Sequence, residues 1–224
     1  MLQSFGIAAY IAVPVLMVLM LAQYLALRIR DTRAAVSDPH LGRKTACYFF
    51  VNLAVFLVLA GLTVSVLDVM DYVFEPAVAA QQARKNGNPP PQAAIDPITG
   101  KPIPPPAHEW FNDQQRTAAG LVVSGLVHGI LFFAIAYFGT NDRQFPAVRR
   151  AFVGLRLVLC LIVVMTASTA AIVLAFQRDD LDLKLVQIEI AVAAVWAPAA
   201  LVHGALLLRS SGWRKRGRSE PMED

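Results

Sequence analysis

Long stretches almost free of charge constrain this chain more than any other feature. The run IAAYIAVPVLMVLMLAQYLAL, residues 7–27, contains no ionisable side chain outside its two tyrosines, and CYFFVNLAVFLVLAGLTVSVL, residues 47–67, contains none outside its cysteine and tyrosine. A bilayer's hydrocarbon core is about 30 Å thick and takes a helix of about twenty apolar residues to cross. Within it every backbone N–H and C=O must be satisfied inside the segment, which selects the helix. Five spans are expected, at about 5–27, 46–70, 117–139, 152–176 and 186–208. Composition agrees: 56% of the 224 residues are hydrophobic and only 16% charged, well below the charge of an ordinary soluble domain. The expected fold is an all-α polytopic transmembrane bundle, one integral membrane domain over residues 1–210. A proline-rich extramembrane loop is expected at 76–112, and a basic-then-acidic tail at 211–224.

The first span has no basic segment ahead of it and arginines behind it, so it reads as an uncleaved helix that tolerates Pro14. Basic residues set the orientation. Segments 28–44, 140–150 and the tail from 209 hold five, three and five of them, against four in 71–116 and two in 177–184. The positive-inside rule then puts the N-terminus outside and the C-terminus in the cytoplasm, as for a protein of a bacterial inner (plasma) membrane. The net charge of +4 is accounted for by these segments, which suit anionic lipid headgroups and call for no nucleic acid. Cys47 and Cys160 fall in spans and form no CxxC pattern, so they read as apolar fillers.

The chain also repeats itself. Shifted by 75, Leu126-Val127-His128-Gly129 falls on Leu201-Val202-His203-Gly204, and Gly125 on Ala200. Shifted by 106, Arg43-Lys44 falls on Arg149-Arg150 and Thr63 on Thr169. Spans 2–3 and 4–5 thus read as two copies of one helical hairpin, parallel in the membrane, behind a leading helix. The difference between the shifts requires a longer loop in the first copy, and 71–116 is long. Eight of the 14 prolines lie between residues 89 and 106. They favour an extended, solvated linker after the Asn86-Gly87 turn, or a docking strand for a periplasmic partner. Trp110 and Phe111 would anchor its end at the interface.

Several polar residues fall within the spans. His128 lies near the middle of span 3 and His203 nearer the inner end of span 5, each flanked at four-residue spacing by small residues: Gly125 and Gly129, Ala200 and Gly204. That pattern marks close helix packing. It leaves three readings: interhelical hydrogen bonding by neutral histidine, two axial ligands of one b-type haem, or a proton-handling or metal role. Arg156, in span 4, reads as a snorkelling side chain, or as an intramembrane pair or an anion site in a cavity, with Asn52 its candidate polar neighbour. Asp68, Asp71 and Glu75 make an acidic stripe at the outer end of span 2. Asp179, Asp180 and Asp182, with Glu189 below, do the same beside spans 4 and 5. They form either an acidic mouth for cations or solvated helix ends paired with Arg178 and Lys184. Thr63, Ser65, Thr166, Ser168 and Thr169 read as helix-contact residues. His40 and the His108-Glu109 pair are too isolated to define a metal site.

No Walker A, HExxH, GxSxG or Rossmann glycine pattern occurs, and no catalytic residue is expected. The leading expectation is a non-enzymatic subunit or scaffold of a membrane assembly, partnered by lipid and by other membrane proteins or by copies of itself. The alternatives are a b-haem electron-transfer protein using His128 and His203, and an ion or small-solute channel or transporter.

Overall fold

The computed structural model describes residues 18–34, 37–86, 112–176 and 183–210, and every regular element among them is an α-helix. Helix α1 covers residues 18–32. It is followed by α2 (Leu41–Lys85), α3 (Asp113–Phe138), α4 (Ala147–Phe176) and α5 (Leu183–Ser210). At 1.5 Å per residue, α3, α4 and α5 are each about 40–45 Å long and α2 about 67 Å. Each of α2 to α5 is long and apolar enough to cross a membrane. Most of the first span lies outside the described residues, as do the proline-rich segment 87–111, the acidic residues 179–182 and the tail from 211.

The helices overrun the expected spans because polar terminal turns remain helical where local bonds complete them. Asp38 caps α2: its Oδ1 accepts the His40 N–H at 3.0 Å, and Pro39 follows it. Asn112 caps α3 by accepting the Gln115 N–H at 2.8 Å. The largest departure is in α2. The segment expected to be loop from residue 76 is helical through Lys85, with Pro76 inside the helix. Proline removes one backbone donor, but the alanine-rich AVAAQQA that follows has high intrinsic helicity and carries the helix on.

The described chain forms two compact units. One comprises the described residues within 1–56, 124–158 and 201–224, the other those within 57–123 and 159–200. In the first, Tyr48 is the hub of the core. Its ring stacks on Phe152 at 6.2 Å and meets Phe133 edge-on at 6.4 Å, among Leu27, Val51, Ala136 and Val148. Gly129 packs against Ala54, where an added Cβ would sit 3.3 Å from the alanine methyl, and Gly204 packs against Leu157. Each glycine beside a histidine therefore faces the first helix of its own hairpin.

In the second unit, α2 and α3 make their closest approach. A Cβ on Gly61 would fall 2.7 Å from the Ala118 carbonyl oxygen and 2.8 Å from Val122. The Trp196 indole N–H donates to Thr63 Oγ1 at 3.2 Å, joining α5 to α2. Helix α2 is the most enclosed of the four: 33% of its most apolar window is buried, against 11–17% in the others. The side chains left exposed on α3, α4 and α5 are mainly Val, Leu, Ile and Phe, as lipid-facing surfaces require.

Candidate functional site

Where the apolar run of α2 ends, its next two turns form one wall of an open cleft of about 480 Å³ in the second unit. Steps of three and four residues bring Asp68, Asp71 and Glu75 to the same wall. Tyr72, Val78 and Ala79 add an aromatic and apolar surface, while Asn112, Lys184 and Gln187 close the cleft from the segment before α3 and the first turns of α5.

Asp68 is 5% exposed, and two side-chain amides hold it. Asn112 Nδ2 donates to one oxygen and Gln115 Nε2 to the other, each at 2.9 Å. Gln115 is itself fixed by Ser65, whose hydroxyl donates to Gln115 Oε1 at 2.8 Å. These donors orient the carboxylate without adding a positive charge. Lys184 Nζ lies 3.5 Å from Asp71 Oδ2 in a half-exposed pair, a contact worth little to stability. Gln187 differs from its neighbours. It is only 4% exposed, and neither its Oε1 nor its Nε2 has a hydrogen-bond partner.

A second polar cluster lies in the first unit. Lys44 is fully buried, its Nζ 2.7 Å from Asp38 Oδ2 and 3.2 Å from the Phe145 carbonyl oxygen. Asp142 is also fully buried and pairs with Arg149 at 3.0 Å. The Tyr48 phenol lies within electrostatic reach of Asp142, Arg149 and Arg156. Both pairs repeat one device: a carboxylate ahead of a helix meets a cation in that helix's first turns.

The other residues singled out in the sequence divide between faces. Arg156 is 9% exposed, so it is enclosed rather than reaching outward, and Asn52 is buried with an Oδ1 that accepts no hydrogen bond, including from Arg156. Glu189 is half-buried. His203 is buried, whereas His128 is exposed. The residues around the two histidines match by face: Gly125 and Ala200 are buried, Leu126, Val127, Leu201 and Val202 exposed, Gly129 and Gly204 intermediate. Only the histidines differ.

His128 Nδ1 lies 2.8 Å from the Ser124 carbonyl oxygen. A carbonyl only accepts, so Nδ1 carries the proton and Nε2 is left as an acceptor on the exposed face. Lys184 pairs with Asp71 on α2, and the aspartates expected beside it lie outside the described residues. Among the described residues, no group of three or more His, Cys, Asp and Glu side chains is arranged to hold a metal ion.

Sequence reasoning passed over Asp38, Asp142, Asn112, Gln115 and Gln187. The Asn112-x-x-Gln115 spacing is a helix-start signature, and Gln187 stands one turn after Lys184. Those were the available signals.

The four long apolar helices are those of a multi-pass, integral membrane protein. No protein family, curated protein or solved structure matches the chain.

Proposed function

We propose that this protein is a non-enzymatic subunit of a membrane assembly and that α3 is its docking helix. The observation that carries this reading is His128. It stands near the middle of an apolar helix, exposed among Val127, Ile130 and Leu131, which are 57%, 67% and 52% exposed. A polar side chain facing lipid is costly. An imidazole with one nitrogen satisfied and an acceptor turned outward suits a partner transmembrane helix bearing a hydroxyl or amide donor. The basic segments 28–44 and 140–150 support a cytoplasmic placement for the ends of the helices that carry them, which leaves the acidic cleft outside. The matched faces around Gly125–Gly129 and Ala200–Gly204 support the duplicated hairpin, as do the two carboxylate–cation pairs.

The test is association after mild solubilisation. Wild-type protein is expected to migrate as a complex. His128→Leu should weaken that complex by about 0.6–2 kcal/mol, roughly three- to thirtyfold, while His128→Asn, which keeps an acceptor, should retain it. A photo-crosslinker at Val127 would identify the occupant, whether another protein or a second copy. Migration as a single chain at every expression level would overturn the reading.

Haem ligation by His128 and His203 is the second reading, favoured by one observation: the His128 Nδ1 is held by a backbone carbonyl, which is how a protein orients an axial imidazole. Purified protein without Soret absorbance would exclude it.

A further inference from the structure

Along one side of α3, Ser124, Val127, Leu131, Ala134 and Phe138 recur at alternate steps of three and four residues. That is the seam by which two parallel helices pack. Val127, Leu131 and Phe138 are 57%, 52% and 75% exposed, and Ser124 and Ala134 are half-buried, so no described helix covers the seam. An apolar seam alone names no occupant; Ser124 and His128 do. His128 Nδ1 donates to the Ser124 carbonyl oxygen at 2.8 Å, which leaves Nε2 as an acceptor. Ser124 Oγ lies 3.4 Å from that same Nδ1. Because the nitrogen already carries a proton, the hydroxyl cannot donate to it. Thr63, Thr117 and Thr166 each donate to the carbonyl four residues back, but among the described residues Ser124 makes no such bond. Helix α3 therefore offers one acceptor and one donor. Both lie at one depth. Helical side chains lean toward the N-terminus, and the bond to the Ser124 carbonyl holds the His128 ring beside the turn that carries Ser124.

We infer that the occupant of this seam is a second copy of the chain, and that two α3 helices exchange a pair of hydrogen bonds, Ser124 Oγ of each donating to His128 Nε2 of the other. The inference rests on the reading of α3 as a docking helix and names its partner. Copies of one chain insert in the same direction, so their α3 helices meet in parallel about an axis along the membrane normal. Rotation about that axis preserves depth, which brings Ser124 of each copy level with the His128 ring of the other. The surface is thus self-complementary, as a two-fold interface requires. A foreign helix bearing one donor would satisfy His128 and leave the Ser124 hydroxyl unmatched in lipid; a second copy answers both.

The experiment co-expresses two full-length copies carrying different affinity tags and measures, in mild detergent, how much of one is captured with the other. Wild-type copies are expected to capture each other. One interhelical hydrogen bond in a membrane is worth about threefold in association. Ser124→Ala paired with itself loses both bonds, as does His128→Leu paired with itself, so each should associate about tenfold more weakly than wild type. Ser124→Ala paired with His128→Leu keeps one donor and one acceptor, and should associate about threefold more tightly than either variant with itself. A purely packing role for the two residues would give no such rescue. Mild oxidation of Val127→Cys should yield a two-chain species, whereas Leu126→Cys, at the same depth on another face, should not; wild type, whose Cys47 and Cys160 are buried, is the baseline. No mutual capture while the protein still migrates as a complex would overturn the second copy and leave the docking helix standing. Migration as a single chain would overturn both. Mutual capture unchanged by Ser124→Ala, a mixed pair no tighter than its parents, or Val127→Cys that does not cross-link would each overturn the exchange.

Discussion

Replacing Asp38 with alanine is expected to destabilise the protein by about 3–5 kcal/mol, because it strands a buried cation. Lys44 is fully buried, and Asp38, 2.7 Å from its Nζ, is its counter-charge. The Phe145 carbonyl at 3.2 Å supplies a hydrogen bond but no net charge. The same substitution also removes the cap of α2, since Asp38 Oδ1 accepts the His40 N–H, adding about 1 kcal/mol. The double variant Asp38→Ala/Lys44→Met should recover most of the loss, because exchanging a whole buried pair for apolar groups is often neutral. The chain provides its own reporter: Cys47 and Cys160 are both buried and neither is in a disulfide. Labelling by a membrane-permeant maleimide during heating reads the opening of the fold. If the single variant labels at the wild-type temperature, Lys44 has another source of neutralisation.

Gly61→Ala should cost about 1–3 kcal/mol, the usual penalty of overpacking, and Gly61→Leu should abolish native packing of α3 on α2. The added Cβ meets backbone, 2.7 Å from the Ala118 carbonyl oxygen, and backbone cannot rotate away as a side-chain tip can. Gly120→Ala is the matched control. Nothing lies within 4 Å of its Cβ, and alanine is the better helix former by up to about 1 kcal/mol, so that variant should be unchanged or more stable. Equal thermal unfolding of the Gly61→Ala and Gly120→Ala proteins would refute the close α2–α3 approach.

The apolar runs made the helices legible, because few structures other than a helix can satisfy twenty buried apolar residues in lipid. Their ends were less legible. Pro76 suggested a stop, yet the alanines after it sustain α2 to Lys85. The histidine copies were found by self-comparison, and so were the small residues beside them. Which histidine is covered depends on neighbouring helices, so identical LVHG strings give a buried His203 and an exposed His128. The acidic stripe pointed to the cleft wall on α2. Apart from Lys184, the residues facing it or holding it are neutral amides, which stand out neither by charge nor by hydropathy, so Asn112, Gln115 and Gln187 carried little signal. Asp38 and Asp142 were hidden for another reason. A carboxylate in a short connection looks solvated until the chain is seen to fold it back onto a cation.

Those two carboxylates also bear on how the protein is made. Lys44 finds its counter-charge six residues upstream at Asp38, and Arg149 finds its own at Asp142, in the connection just ahead of α4. A helix leaving the ribosome therefore carries its own neutralising group, and neither charge waits for a later helix to be synthesised. Both pairs lie at the start of their helices, in the basic segments that favour the cytoplasmic face, so each of these helices meets the interface with that terminal charge already paired. The bond from Lys44 to the Phe145 carbonyl, 101 residues downstream, then ties together two helix starts whose own charges are already paired.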